Sequence, residues 1–389
     1  MFDCIIVGSG PAGASAAYHL AKRGRSVLIL EKAELPRYKP CGGGVSPIVQ
    51  SWFDFDFSPA ISWKTKTNCY TWNQSEQVEV TMEDREPIWM VRRDVFDFFL
   101  VQQAQRQGAE LRDNTKATAI AFKNDCWQVT TSHRLTTSHR LEACATEEEQ
   151  EPVTGRYLIA ADGAKGIMAK LLGFPQGKTQ LAGALEVEVP LAKQEDGRVY
   201  FEFGMVKGGY IWNFPKADGY SIGVGTFRGA QRQDFKAILT EYAGMFKVDI
   251  NTGKQCGHPI SLWNGNQKLH TDHAVLAGEA AAVVDPFTAE GIRPSMFSGI
   301  KAAEAMDKAL AGDINALEGY TETMSQEWGG EMVWAKRLAE VFYRFPRVGY
   351  GLGVKRPSAT ATMYKILAGE LGYSDVASKA IARMSQGLL

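Results

Sequence analysis

The sequence predicts an α/β fold that opens on a βαβ unit, carries an inserted, mainly antiparallel β-sheet layer, and ends in a helical region. Three observations predict it. A short apolar run at the N-terminus leads directly into a glycine-rich turn and an alanine-rich stretch. Four strand-like segments stand together between Leu181 and Phe227. The last ~75 residues alternate helical patterns with the breakers Gly329-Gly330, Pro346 and Gly349-Tyr350-Gly351.

Taken in order, residues 2–7 (Phe-Asp-Cys-Ile-Ile-Val) read as a buried parallel strand, and Gly8 to Gly13 as a turn. Ala14 to Arg23 is helical and Gly24 ends it; Ser26 to Leu30 is the second strand, with Glu31 at its tip. Arg92 to Gln107 reads as a helix with apolar positions at Val95, Phe98, Phe99 and Ala104. Ala109 to Ala161 alternates as strands do, with one anomaly: Thr130 to Leu135 is repeated at once as Thr136 to Leu141, followed by the acidic run Glu147 to Glu151. We read this duplication as an extended hairpin loop, because solvated loops tolerate insertion. His133 and His139 arise from it and carry little weight as metal ligands. The inserted sheet is expected from Ala182–Val189, Arg198–Phe203, Tyr210–Phe214 and Tyr220–Phe227. A short buried strand at Ala274–Leu276 and a helix from Gly291 through Leu310 follow.

Composition excludes several classes. At 389 residues the chain is long for one core, so two or three regions are expected. Net charge is -1, without the concentrated basic face that nucleic-acid binding needs. Six scattered cysteines without paired spacing read as reduced thiols, and Cys256-Gly257-His258 lacks a second ligand pair, so no metal site is predicted. The chain begins in a strand, so the expectation is a protein that is not secreted, cytoplasmic or peripheral at a membrane. No apolar run reaches the ~18 residues of a span; the richest, Ala274 to Ala289, is broken by Glu279 and Asp285.

Gly8-Ser9-Gly10-Pro11-Ala12-Gly13 matches G-x-G-x-x-G between a strand and a helix, and Glu31 lies at about the ~20-residue spacing of a ribose-binding acid. Gly8 allows the tight turn, Gly10 lets the backbone approach a pyrophosphate, and Gly13 permits close helix–strand contact. The helix N-terminus adds N–H groups and a positive dipole. Glu31 is expected on the ribose hydroxyls. The fingerprint alone does not choose between FAD and NAD.

Further segments choose. Ala160-Ala161-Asp162-Gly163-Ala164 and Leu276-Ala277-Gly278-Glu279-Ala280 resemble the second and third FAD segments of para-hydroxybenzoate-hydroxylase-like flavoproteins. With Lys39-Pro40-Cys41-Gly42-Gly43-Gly44-Val45-Ser46 and Gly208-Gly209-Tyr210-Ile211-Trp212-Asn213-Phe214-Pro215-Lys216, the chain resembles the geranylgeranyl reductase family, including archaeal prenyl-lipid reductases, over roughly residues 2–310. The resemblance implies a Rossmann-like FAD-binding fold and saturation of a prenyl C=C by flavin hydride. It implies FAD contacts from Gly8, Gly10, Ala12, Gly13 and Glu31, from Cys41, Gly42 and Gly44 against the ring, and from Arg93 near the flavin. It extends them to Ala117 where a strand passes the adenine, and to Asp162, Gly163, Gly278, Glu279, Gly291 and Ile292. It implies an FAD-binding domain of 1–66, 92–172 and 267–312, a β-sheet substrate domain of 67–91 and 173–266, and a C-terminal helical region of 313–389.

Two departures stand out. The family has Gly-Asp where this chain has Gly278-Glu279, so the hydroxyl contact must shift. The family segment Asp-Pro-x-x-Gly-Gly-Gly-Ile is here Asp285-Pro286-Phe287-Thr288-Ala289-Glu290-Gly291-Ile292, followed by Arg293. Arg293 either stabilises an anionic reduced flavin or turns out to Glu290 or another carboxylate.

Three sets of residues bear on substrate. Cys41 either relays a proton to the alkene or is a small residue packed against the ring. Tyr210, Trp212 and Phe214 share one strand face, either a tunnel wall or an ordinary core face. Lys216 either meets a polar head group or is solvated. No second nucleotide domain is visible, so the reductant is expected to be transient NAD(P)H or a reduced electron carrier, with an electron-donor protein as one partner. The rival functions are an FAD-dependent monooxygenase or halogenase of the same fold and, more distantly, a non-enzymatic prenyl-lipid carrier.

Overall fold

The computed structural model describes residues 1–134, 147–175, 180–191, 196–227 and 232–378. In chain order it runs β1 (Phe2–Val7), α1 (Pro11–Lys22), β2 (Val27–Leu30), β3 (Gly44–Val45), β4 (Trp63–Thr65), β5 (Thr67–Trp72), β6 (Ser75–Thr81), β7 (Ile88–Met90), α2 (Arg93–Arg106), β8 (Glu110–Arg112), β9 (Thr115–Lys123), β10 (Cys126–Arg134), β11 (Glu147–Ala160) and α3 (Met168–Leu171). It continues through β12 (Gln180–Pro190), β13 (Val199–Phe203), β14 (Gly209–Lys216), β15 (Gly219–Thr226), α4 (Phe235–Gly244), β16 (Lys254–Leu262), β17 (Ala274–Leu276), α5 (Ile292–Leu310), α6 (Ala316–Thr323), α7 (Gly330–Arg344), α8 (Pro346–Gly349) and α9 (Pro357–Leu367).

The first sheet has two parts. β8, β2, β1, β11 and β17 pair in parallel, as a βαβ start requires. Ile5, Ile6, Leu28 and Ile29 are fully buried there because helices cover the sheet, and each such burial contributes about 1.5–3 kcal/mol. The N-terminal half of β11 instead pairs antiparallel with β10, which pairs with β9. This corrects the loop reading for the first copy of the hexapeptide and for the acidic run. Thr130–Arg134 of the first copy continue β10, with His133 paired to Thr115 and Glu148, and the acidic run begins β11. β-branched Thr131 is buried between two partner strands, which outweighs the local polarity. The second copy, Thr136–Leu141 with His139, lies outside the described residues.

The second sheet, in order β16-β12-β15-β14-β13-β5-β6, is antiparallel except where β13 meets β5. Its two faces differ. Ile211, Ile222 and Val224 pack on Leu239 and Tyr242 of α4. The opposite face carries Tyr210 and Trp212 with Tyr70, Phe203 and Phe227, and α7 and the turns after it cover that face with Phe342, Tyr343, Tyr350 and Val354. A small third sheet, β3-β7-β4, sets the Cys41–Gly44 segment beside β14.

Candidate functional site

A cavity of about 650 Å³ runs through the interior. It begins at Gly10–Ala12 on the first turn of α1, passes Cys41–Gly44 and the aromatic face of β14, and reaches Met363 and Ile366 on α9. The three fingerprint glycines serve different ends. A Cβ on Gly8, at φ 104°, would stand 2.3 Å from the Ala161 carbonyl oxygen, and one on Gly13 would stand 1.9 Å from that of Gly8. Both are required by the protein's own packing. Gly10 is not: its φ of -68° suits any residue, and the nearest atom to an added Cβ is Arg37 Nη2 at 3.8 Å. Its missing side chain keeps the cavity open at the N-terminus of α1, where no side chain caps the helix.

Glu31 is buried at the tip of β2. It accepts from Ser9 N at 3.0 Å, Ser9 Oγ at 2.7 Å and Ala33 N at 3.1 Å, and pairs with Arg37 at 3.3 Å. Burial disfavours its charge, but Arg37 and these donors outweigh burial and hold its carboxyl below the usual value. Most of the acceptor capacity expected for ribose hydroxyls is thus engaged within the protein. Ala117 is buried in β9, outside the cavity wall. Arg37 also reaches Asp97 at 3.2 Å, and Asp97 holds Arg93 in a bidentate pair at 2.7 and 2.8 Å. Both partners are buried, and each keeps the other charged against desolvation. Arg93 lines the cavity and faces the Cys41 thiol.

Gly278 and Glu279 follow β17. Glu279 Oε1 accepts from Ser261 N at 3.2 Å, and Oε2 lies 3.3 Å from Lys39 Nζ and 3.7 Å from His258 Nε2. Burial opposes its charge, but His258, Lys39 and the Ser261 N–H prevail, and its carboxyl is held down at about 2. Asp162 accepts from Met168 N at 2.9 Å through Oδ2, while buried Oδ1 has no hydrogen-bond partner among the described residues. Gly163 lines the cavity next to it.

Gly291 and Ile292 line the cavity at the start of α5. The loop before them is tied by three tyrosines: Tyr210 Oη donates to Thr288 O at 2.5 Å, Tyr343 Oη to Phe287 O at 2.7 Å, and Tyr373 Oη to Asp285 Oδ2 at 2.7 Å. Ala289 keeps a left-handed φ of 57° where the family pattern has glycine. Arg293 takes the second of its two readings. It forms a bidentate pair with Glu290 at 2.9 and 2.8 Å and is not part of the cavity wall.

Around Cys41 the structure gathers groups that the sequence kept apart. Cys41 N donates to Glu186 Oε1 at 2.6 Å. Glu186 is fully buried in β12 and lines the cavity. Burial pushes its carboxyl well above the usual range, offset only in part by the Cys41 N–H and by Lys216. Lys216 fits neither of its sequence readings. It is buried, donates to Gly42 O at 2.6 Å and Val91 O at 2.8 Å, and burial lowers its amine. It fixes the glycine segment and does not line the cavity. Tyr210, Trp212 and Phe214 do line it, and a Cβ on Gly42 would come within 2.9 Å of the Phe214 ring. Trp212 Nε1 is buried without a hydrogen-bond partner among the described residues.

Glu186 was missed because acids alternating with apolar residues in a strand, as Glu186 and Glu188 do, read as a solvent-facing side. The available signal was its alternation: Glu186 shares a face with Ala184 and stands opposite Gly223 and Cys256 in the flanking strands. The part played by Leu338, Phe342, Met363 and Ile366 in the wall was also not legible. An open Gly10 at an uncapped helix start on the cavity wall, with Gly163 and Gly278 lining the same cavity, fits an extended dinucleotide such as FAD.

A family model described as an FAD binding domain matches residues 1–203. A protein of Methanosarcina barkeri, itself uncharacterised, is 30% identical over 80% of this chain and 76% of its own length. The digeranylgeranylglycerophospholipid reductase of Methanocaldococcus jannaschii is 26% identical over 80% of this chain and 78% of its own. Among solved structures, a geranylgeranyl bacteriochlorophyll reductase-like protein of Thermoplasma acidophilum superposes with a TM-score of 0.76 at 22% identity, covering 88% of this chain and 87% of that one. A flavin-dependent brominase variant superposes at 0.73 with 19% identity, covering 99% and 100%. These two structural likenesses speak to fold alone.

Proposed function

From the premise that the chain belongs to the FAD binding domain family and is an FAD-dependent oxidoreductase, we propose that it saturates C=C bonds of a geranylgeranyl or other prenyl lipid. The observation that carries this reading is a largely apolar cavity, continuous from the open Gly10 turn to the C-terminal helices and walled by Tyr210, Trp212 and Phe214. A long, unactivated hydrocarbon offers no polar handle, so an aromatic-walled channel is what binds and orients it. When bound and reduced, FAD supplies hydride chemistry.

This chain's residues supply the rest. The α1 N-terminus, Gly163, Gly278, Gly291 and Ile292, all on the cavity wall, would hold the cofactor. Glu279, engaged by Lys39 and Ser261, fixes the turn beneath it. Saturation adds one hydride and one proton across the double bond. Two groups on the wall stand where a proton could be passed to the alkene: the Cys41 Sγ, beside Arg93, and the Glu186 carboxyl, which burial raises to about 7. The dry wall excludes water from the reacting carbons. External reductant, NAD(P)H or a reduced carrier, restores the cofactor between turnovers.

The test is mass spectrometry of prenyl lipids before and after incubation with dithionite-reduced holoprotein. A gain of two hydrogens per saturated bond is expected. Unchanged lipid, with hydroxylated or halogenated product from an aromatic compound in oxygen, would replace this reading with the monooxygenase or halogenase one.

A further inference from the structure

The segment from α7 through the turns that follow α8 carries apolar side chains on both its inner and its outer side. Its inner face, with Ala339, Phe342, Tyr350 and Val354, is buried over the aromatic sheet. Its outer face is apolar as well. Val341 is 65% exposed, Phe345 56%, Val348 57% and Leu352 55%, and Leu338 continues the row toward the N-terminus. Leu338 and Val341, three apart, share one side of α7; Phe345, where the helix breaks, Val348 on α8 and Leu352 on the turn after it carry the exposed apolar surface onward along the chain. Nothing in the described chain covers them.

Two further observations say what does. First, basic residues flank the row. Arg337, Arg344, Arg347, Lys355 and Arg356 are exposed between positions 337 and 356, where the acidic residue is Glu340, in a chain of net charge -1. Glu76 pairs with Arg347 and Lys355, so the excess is moderate, but the rim remains positive. Second, the cavity reaches the surface here. Its exposed wall residues are Leu338 and Gly353, on this segment, and Ser358, at the adjoining start of α9. Leu338 belongs to both the row and the wall.

We propose that the outer face of residues 338–352 docks on an anionic lipid bilayer and sets the cavity mouth against the membrane. An exposed apolar row with a cationic rim lies in the interface plane, with its side chains among the upper acyl chains and its cations among the headgroups. A prenyl chain would then pass from bilayer to cavity without crossing water. No helix among the described residues is long and apolar enough to cross a membrane, so this contact is peripheral. The use of the mouth rests on the lipid reading above; the docking itself does not.

The experiment is co-sedimentation of the FAD-loaded protein with phosphatidylcholine vesicles, with and without phosphatidylglycerol, in the absence of any prenyl lipid. The parent should bind the anionic vesicles and release as salt rises. A Val341→Glu/Phe345→Glu variant, altered outside the cavity wall, should keep its FAD absorbance and melting temperature yet bind at least about tenfold more weakly. Should it reduce a detergent-solubilised prenyl substrate normally but not one embedded in vesicles, the mouth is placed as well. Vesicle binding equal to the parent's would overturn the proposal. So would sedimentation velocity showing a parent dimer that the variant splits, which would make the face a subunit interface. Failure of lipid reduction by the parent, with vesicle binding intact, would fault the assigned reaction and leave the docking surface standing.

Discussion

Replacing Gly10 with alanine separates the fold from the cofactor site. The backbone there already has a conformation that alanine adopts, and an added Cβ meets nothing in the protein closer than 3.8 Å. The cofactor-free protein should therefore be unchanged or stabilised by about 0.4–1 kcal/mol, through a stiffer unfolded chain. The same methyl group stands where the pyrophosphate must approach the α1 N-terminus. Overpacking of that kind costs about 1–3 kcal/mol, which lowers FAD affinity about 5- to 150-fold. Gly13→Ala is the control with the opposite sign pattern. Its Cβ would fall 1.9 Å from the Gly8 carbonyl oxygen, so α1 must shift on the sheet. It should destabilise the cofactor-free fold by about 1–3 kcal/mol or more. Urea unfolding of both cofactor-free variants, with titration of FAD by flavin fluorescence, reads the two effects independently. If Gly10→Ala binds FAD as tightly as the parent, the backbone at position 10 does not touch the cofactor and the reasoning fails. If it unfolds more easily, the turn is tighter than the geometry indicates.

Glu279→Gln should cost up to about 3 kcal/mol near neutral pH, because the carboxyl is held at about 2, well below its usual value. A depressed acid stabilises above its unfolded pKa and loses that contribution as pH falls through about 2, so the gap between parent and variant in urea unfolding should narrow from about pH 5 downward; a gap independent of pH would contradict this. Glu186→Gln should keep FAD but slow prenyl reduction; with its carboxyl raised by burial, the parent's rate should fall as pH rises through that value, and the variant should lack this limb in stopped-flow flavin reoxidation. If Cys41→Ser alone removes the limb, the thiol is the proton donor and Glu186 only positions it. Trp212→Ala should raise the prenyl KM with flavin content unchanged, and a change confined to kcat would place Trp212 elsewhere. Ala289→Gly relieves about 1–2 kcal/mol of left-handed strain against about 0.4–1 kcal/mol of added unfolded-chain entropy, so a net gain of about 0.5–1 kcal/mol is expected in urea unfolding, and a loss would show that the methyl group packs usefully.

The sequence alone determined features that are local or strictly periodic. Gly8-x-Gly10-x-x-Gly13 between a strand and a helix carries its meaning in a few adjacent residues, and the structure forms that strand, turn and helix there. Alternation placed Tyr210, Trp212 and Phe214 on one face, because side chains of a strand alternate whatever the tertiary context. What lay across that face was decided only by folding. Sheet order brings β12 next to β15 and puts Glu186 beside Cys41, 145 positions away in the chain. Neither residue announces the other. Glu31 and Glu279 were legible as acids at the right spacing, but not as acids already engaged by Ser9, Arg37, Lys39 and Ser261, since hydrogen bonds across a fold leave no trace in spacing. The loop reading failed for the first copy of the hexapeptide for the same reason: composition marks Thr130–Arg134 as polar, while pairing on both sides makes it strand. Lys216 is the clearest case. A lysine at the end of an aromatic strand belongs in solvent by its chemistry, and only the approach of Gly42 and Val91, whose carbonyls satisfy its amine, makes its burial affordable.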